Sequence, residues 1–275
     1  MTDAFRQITI APFAPVHLEG ALRLSQQVQW PHRAEDWALS LAISKGVVAL
    51  EGSAVVGTAL CTCFGDVATL NMIIVDGRMQ GRGLGRRLME QVMAEAGGRE
   101  MRLVATPEGR PLYEKLGFVA AGEIVQYQGV VRPLATVVES LVRAGGPGDL
   151  AAAARLDLAA TGMARKGLLE RIAATGDLLV TGGGFALLRR FGRGHVLGPV
   201  IARSVDEAQA LMAQAARRLP GQFLRIDMPA ERVSADFLAA LGLVHAGGGI
   251  AMTRAPRPRP VSEFHTYALV SQALG

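Results

Sequence analysis

Aromatic residues are scarce. They make up 5% of a 275-residue chain that is 50% hydrophobic, so its core must be assembled from alanine, leucine and valine. Cysteine is scarcer still, with Cys61 and Cys63 alone. Two apart on an expected strand, they share one face. That supports neither a four-ligand zinc site nor an internal bridge, so no metal is expected and both read as small core residues. No run of about 18 uncharged apolar residues occurs, which argues against a membrane-spanning helix. The opening MTDAFRQITIAPF carries Asp3 and Arg6 and no long apolar run, unlike a secretory signal. A cytoplasmic protein is the default expectation. The net charge is +5, yet Arg86-Arg87, Arg189-Arg190 and Arg217-Arg218 are scattered and not interleaved with aromatics. Neither nucleic acid nor membrane is therefore an expected partner. Attraction of an anionic small molecule explains part of the excess more simply.

What the chain does have is a distinctive stretch from Leu70 to Leu88, LNMIIVDGRMQGRGLGRRL. Leu70 to Val75 has the length and β-branched content of a buried strand. Asp76-Gly77 marks a turn, and from Leu84 the apolar spacing becomes helical. A strand that ends in a glycine-rich turn opening a helix is an anion cradle, because the first helical N–H groups lack internal partners and the dipole is positive there. Glycines at 81, 83 and 85 let a phosphate approach the backbone, and Arg82, Arg86 and Arg87 add charge-assisted donors. No Lys-Ser or Lys-Thr follows, so a Walker loop is excluded. A dinucleotide fingerprint counted from Gly81 or Gly83 ends on Arg86 or Leu88, so it also fails. What remains is Q-x-x-G-x-G, Gln80 to Gly85. Downstream, Arg110 to Phe118 reads RPLYEKLGF.

These two motifs, in the order strand–loop–helix–strand–helix, resemble those of the GNAT N-acetyltransferase superfamily. The resemblance implies an α/β (α+β) fold, a mixed, mostly antiparallel twisted sheet flanked by helices and splayed at its central strand. It implies acetyl-CoA as cofactor, with the pyrophosphate on Gln80, Gly81, Arg82, Gly83, Leu84, Gly85 and Arg86. The thioester would lie beside Ile73, Ile74 and Val75, where a backbone N–H near Ile74 would stabilise the oxyanion. Tyr113 would be the general acid for the departing thiolate. One departure stands out: where many members carry Asn, about six or seven residues before the tyrosine, this chain has Thr106. The alternatives are a glycine-rich helix start without ligand and a tyrosine that only packs.

In chain order, Gln7 to Phe13 reads as a strand and Pro15 to Gln29 as a helix. Pro31 breaks the pattern, and a second helix starts near Ala34 with Glu35 and Asp36 in its first turn. In GNAT folds this junction walls the acceptor site, which makes Trp30, His32 and Asp36 candidate substrate residues, with Trp37 beside them. The competing reading is a helix-capping turn over core tryptophans. Strands follow at Gly46 to Leu50 and Ala54 to Phe64, a helix at Leu84 to Ala96, a parallel strand at Met101 to Ala105, and closing strands from Val119 to Gln128. This completes one unit by about residue 130. A linker, 131–148, ends in Gly145-Gly146-Pro147-Gly148. The pattern then repeats at a spacing near 125 residues over 149–255, so two tandem GNAT-like units are expected. The second has ARSVDEAQA, Ala202 to Ala210, in place of the glycine loop, and about Leu238 in place of Tyr113. Asp206 and Glu207 would repel phosphate, so this copy is expected to be degenerate. Residues 256–275 look like an arm crossing a neighbouring surface.

The function expected from the resemblance is acetyl transfer from acetyl-CoA to a primary amine of a small molecule. The rivals are a protein or peptide acetyltransferase and a non-catalytic acyl-CoA sensor. The base that deprotonates the amine is left open among Asp36, His32, Glu19, His17 and His195. The oligomeric state is left open between monomer and homodimer.

Overall fold

The computed structural model describes residues 8–133 and 142–275; the part of the expected linker over 134–141 lies outside them. The first half runs β1 (Ile8–Pro12), α1 (Leu18–Gln27), α2 (Ala34–Ala42), β2 (Lys45–Glu51), β3 (Ala54–Phe64) and β4 (Val67–Val75). It continues with α3 (Leu84–Ala96), β5 (Glu100–Ala105), α4 (Arg110–Lys115) and β6 (Val119–Val130). The second half runs β7 (Arg143–Ala144), α5 (Leu150–Thr161), α6 (Lys166–Ala173), β8 (Asp177–Val180), β9 (Gly184–Phe191) and β10 (Gly194–Ala202). It ends with α7 (Val205–Arg217), β11 (Phe223–Pro229), α8 (Ala235–Ala240), β12 (Val244–Arg254) and β13 (His265–Ala268). The repeated element order matches the sequence expectation.

Among the described residues all 13 strands belong to one mixed, mostly antiparallel sheet, ordered β1-β2-β3-β4-β5-β12-β6-β11-β10-β9-β8-β7, with β13 on β10. Why α3 forms is plain: Leu84, Leu88, Val92 and Ala96 recur every fourth residue and are buried. They pack on Ala49, Val56, Ala59, Ala68 and Leu70 of the sheet. Gly97 ends the helix at φ 58°, a conformation glycine tolerates best. Truncating Leu88, fully buried in this core, would cost about 2–5 kcal/mol.

Strand order corrects the expectation that one unit is complete by residue 130. The partner of β5 is β12, which comes from the second half, over Ile250↔Ala105 to Arg254↔Met101. In turn β6 crosses over to pair with β11, from Phe223↔Val130 to Pro229↔Ile124. Each half thus supplies a strand to the other, and neither sheet closes by itself. A local pattern of apolar residues fixes that a strand exists, not which neighbour it takes. The C-terminal segment is also more than a surface arm. Its strand β13 joins the sheet and buries Tyr267, Ala268 and Val270.

The central splay is real. Strands β4 and β5 pair in parallel only at Val67↔Glu100, Ala68↔Met101 and Thr69↔Arg102, so residues 70–75 have no ladder partner in β5. On the other edge, Thr58 pairs with Ile74 and Leu60 with Asn71. Met72 and Ile73 therefore oppose Ala59 alone, a β-bulge. Met72 takes φ 51°, and its carbonyl accepts the Thr58 hydroxyl at 2.7 Å.

Candidate active site

The turn after β4 is held by Asp76, whose carboxylate accepts the Arg78 N–H at 3.0 Å and the Arg78 guanidinium at 3.1 and 3.0 Å. Those hydrogen bonds pull the Asp76 carboxyl below the ordinary range despite its burial. Met79 anchors the loop in the core. Gly81 and Gly83 then take φ 74° and 72°, and a Cβ on either would meet nothing within 4 Å. The glycines thus serve conformation and leave open space. At Gly85 the reason differs: a Cβ would sit 3.4 Å from Leu112 and 3.7 Å from Val75, so glycine lets α4 approach the end of β4.

Gly83 is the N-cap of α3, with no side-chain cap and no acidic residue in the first turn. The first N–H groups of the helix, at 84–86, therefore lack intrahelical partners and face the open loop. Such a cradle fits a phosphate group. Arg86 directs its guanidinium to Glu90 at 2.9 Å, along the helix, so its contribution at the loop is its amide.

Tyr113 lies on α4, 7% exposed, in the same core as Leu84, against which Ile73, Val75 and Leu112 also pack. The closeness of Gly85 to Leu112 and Val75 sets α4, the start of α3 and the end of β4 side by side. The Tyr113 ring crosses the start of its own helix: a Cβ on Gly109 would be 2.9 Å from the ring. Phe118 stands edge-on at 6.3 Å. Burial pushes the phenol up to about 12, so it stays protonated at neutral pH and keeps a proton to donate. Thr106 closes the turn before α4, accepting the Gly109 N–H on its hydroxyl at 3.3 Å and on its carbonyl at 3.1 Å.

The expected acceptor wall divides. Asp36 is buried and engaged: it accepts the Arg33 N–H and guanidinium at 2.9–3.1 Å and the Gly192 N–H at 3.0 Å. Burial opposes its charge, but these donors hold its carboxyl below the usual range. It therefore ties α2 to the β9–β10 turn of the second half, and as a proton acceptor it is poor. His32 packs between Trp30 at 5.7 Å and Phe191 at 5.3 Å. Desolvation pulls it down to about 4 against the attraction of Asp36, so it is neutral at pH 7, with a buried, unpartnered Nδ1. His17 Nδ1 accepts the Ala14 N–H at 3.0 Å. His195 pairs across to Leu224, a residue of the α7 core, which puts it on the other sheet face from His32's neighbours.

Sequence reading missed Arg189, Phe191 and Arg225, which meet His32 and Asp36 from the second half, and Asp227, which holds Arg225. A signal was present in FLRIDMP, where Arg225 and Asp227 interrupt a buried strand two residues apart. It missed Asn71 too, at the bulge, whose amide donates to Thr62 at 3.0 Å while its buried Oδ1 has no partner.

Profiles of the GNAT acetyltransferase domain match this chain twice, at residues 43–120 and 153–268. The chain is 31% identical over 274 residues to YitH, an uncharacterised N-acetyltransferase of Bacillus subtilis, covering 94% of this chain and 95% of the relative. It therefore belongs to the GNAT acetyltransferase family, in a tandem arrangement. Among solved structures, an acetyltransferase from Pyrococcus horikoshii described as putative shares the fold with TM-score 0.84 at 21% identity, covering 100% of this chain and 98% of that one. A tandem GNAT protein from the clavulanic acid biosynthesis pathway aligns with TM-score 0.66 at 15% identity, covering 92% and 100%. Among the described residues no helix is long and apolar enough to cross a membrane.

Proposed function

We propose that the protein moves an acetyl group from acetyl-CoA to a primary amine of a small molecule by direct transfer. In this reading residues 1–130 carry the cofactor site, 131–148 link, and 149–255 lack such a site. The observation that carries it is the uncapped, glycine-opened start of α3 beside α4 and the end of β4, whose β5 edge is left unpaired. Acetyl-CoA supplies the activated thioester. Amides from Gly81 to Arg86, with Gln80 before them, hold its pyrophosphate, and Ile73, Ile74 and Val75 offer backbone groups along the splay, one N–H serving as oxyanion donor. The Tyr113 hydroxyl holds the proton needed at the leaving sulfur, and its burial keeps that proton in place at working pH.

Trp30 and His32 line the acceptor side. Asp36 closes it by binding the β9–β10 turn, and that closure favours a small acceptor over a protein surface. His32 is neutral with an unpartnered Nδ1 that can accept a hydrogen bond, but pulled down to about 4 it is as weak a proton acceptor as a carboxylate, so it orients the amine and is not its base. The test is thermal shift with acetyl-CoA followed by thiol release against an amine panel. Stabilisation of about 2.7 kcal/mol is expected at 100 times Kd. No shift refutes the cofactor assignment, and a shift without thiol release from any amine makes the protein a sensor.

A further inference from the structure

A group of charges that the proposed chemistry does not use lies where β4 and β5 meet. The two strands part above Thr69↔Arg102, the last of their three pairs. Below that point the Glu100 N–H donates to the Asp66 carbonyl at 3.0 Å, so the cleft has its apex between 66–69 and 99–102. Across this apex runs the segment 255–260, APRPRP. It leaves β12 at Ala255, whose φ of 52° is a left-handed turn that a residue other than glycine takes at a cost. Prolines at 256, 258 and 260 then fix their own φ and hold the residue before each in extended backbone. Arg257 and Arg259 stand between these prolines, so their backbone has little freedom left to lose when their side chains bind.

Both arginines grip the apex. Arg257 joins the two strand starts: its guanidinium meets Asp66 at 3.1 Å, just before β4, and donates to the Gly98 carbonyl at 2.7 Å, just before β5. Its N–H donates to Glu100 at 3.2 Å. Arg259 donates to both oxygens of Glu100, at 2.7 and 2.6 Å. Glu100 is 3% exposed and also accepts Arg102 Nε at 2.7 Å. One buried carboxylate therefore holds the last ladder residue and the crossing segment together. Arg102 and Arg259 both donate to the Thr161 carbonyl, at 3.0 and 2.6 Å, which is the C-terminal end of α5 and negative by its dipole. Gly162 follows with φ 70°, and a Cβ there would lie 2.7 Å from Arg259 Nε. The second half thus leaves room for this guanidinium. The exposed Arg257–Asp66 pair contributes little; the two-oxygen contact of Arg259 with buried Glu100 is the stronger one.

We propose that 255–260 is a clasp: Arg259, seated on Glu100 and the end of α5, fixes how far β4 and β5 part and so sets the width of their cleft. This rests on the reading that acetyl-CoA lies in that cleft. Only three ladder pairs join the strands below it, so a small change at the apex grows along residues 70–75. Arg259 is then a positioning residue, acting through Glu100 and Arg102, and its loss lowers affinity for the cofactor.

The experiment compares the full chain with Arg259→Met, which keeps the stem and removes the guanidinium, and with Glu100→Gln/Arg259→Met, which leaves no buried charge behind. Calorimetry measures acetyl-CoA affinity, and hydrogen exchange by mass spectrometry follows 66–75 and 99–105 without ligand. Both variants should bind acetyl-CoA about tenfold more weakly, within the usual range for coupled sites, and exchange faster over both segments. Arg259→Lys should recover part of the affinity. Glu263→Gln is the control: it frees the same connection further on, where Glu263 meets Arg203 at 3.0 Å, and should leave affinity unchanged. Unaltered affinity in both Met variants would overturn the proposal, whatever their melting temperatures. An equal loss in Glu263→Gln would make the effect one of general loosening and also overturn it. A wild type that binds no acetyl-CoA would refute the cofactor reading. The clasp then stands if exchange quickens in the Met variants and falls if it does not.

Discussion

The starts of α3 and α7 occupy equivalent places in the two halves and have opposite chemistry. At α3 the cap is Gly83, nothing acidic follows, and the first amides face open space. At α7 the cap is Ser204, whose hydroxyl accepts the Glu207 N–H at 3.2 Å, while the Glu207 carboxylate accepts the Arg203 N–H at 3.3 Å. Asp206 adds a second negative charge in the first turn. The helix satisfies its own dipole and repels a phosphate. The splays differ in the same sense. Between β4 and β5 no strand among the described residues fills the gap, whereas β13 pairs with β10 at Val200 to Ala202 and Leu269 donates to the Asp227 carbonyl of β11 at 2.8 Å. Leu238 stands where Tyr113 stands, with the same backbone bond from the residue five positions on: Phe118 to Tyr113 and Leu243 to Leu238, each 3.0 Å. One fold can therefore present an open or a closed helix start according to its cap and its gap.

The comparison breaks most severely if the halves are separated. A chain ending at residue 130 would leave β5 without β12 and β6 without β11, exposing backbone edges and apolar surface. We expect it to aggregate. A soluble monomeric fragment that binds acetyl-CoA would contradict the strand exchange.

Next in size is the hydroxyl. Tyr113→Phe keeps the ring against Phe118 and should lower kcat by roughly 10²–10⁴-fold with little change in KM for acetyl-CoA. Leu238→Tyr, its counterpart, should change neither. Steady-state thiol release checks both, and a Phe variant within twofold of wild type would make Tyr113 a packing residue.

A smaller effect concerns the seam between the halves. His32 is pulled from 6.5 to about 4, so the unfolded chain binds this proton more readily than the folded one. Its contribution is full above pH 6.5 and is lost as pH falls from 6.5 toward 4, on the order of 2–3 kcal/mol. His32→Asn should flatten the fall in melting temperature over that window relative to wild type. An unchanged pH profile would contradict the burial of that ring. Smallest is Ser204→Ala, which removes a cap worth about 1 kcal/mol. Melting should drop by roughly 2–4 °C with acetyl transfer unaffected.

Much of this was legible because its causes are local. The glycine spacing at 81, 83 and 85, the YEKLGF turn and the i, i+4 stripe of α3 each depend on neighbours within a few residues. So does the acidic, glycine-free start of α7, which is visible in SVDE. The exchange of β6 and β12 was hidden because strand partners are chosen at long range. Asp36 read as a candidate base because the Gly192 N–H that it accepts lies 156 residues away. Arg189 looked like surface charge for the same reason.

The central claim is one cofactor site per chain, at the start of α3. Calorimetric titration of the full chain with acetyl-CoA tests it most directly, alongside Gly83→Asp, which sets a carboxylate in the open cradle. The account predicts one site per chain in the wild type and an affinity lowered at least about 100-fold in the variant, with its far-UV spectrum unchanged. Two equivalent sites, or unaltered affinity in Gly83→Asp, would contradict it.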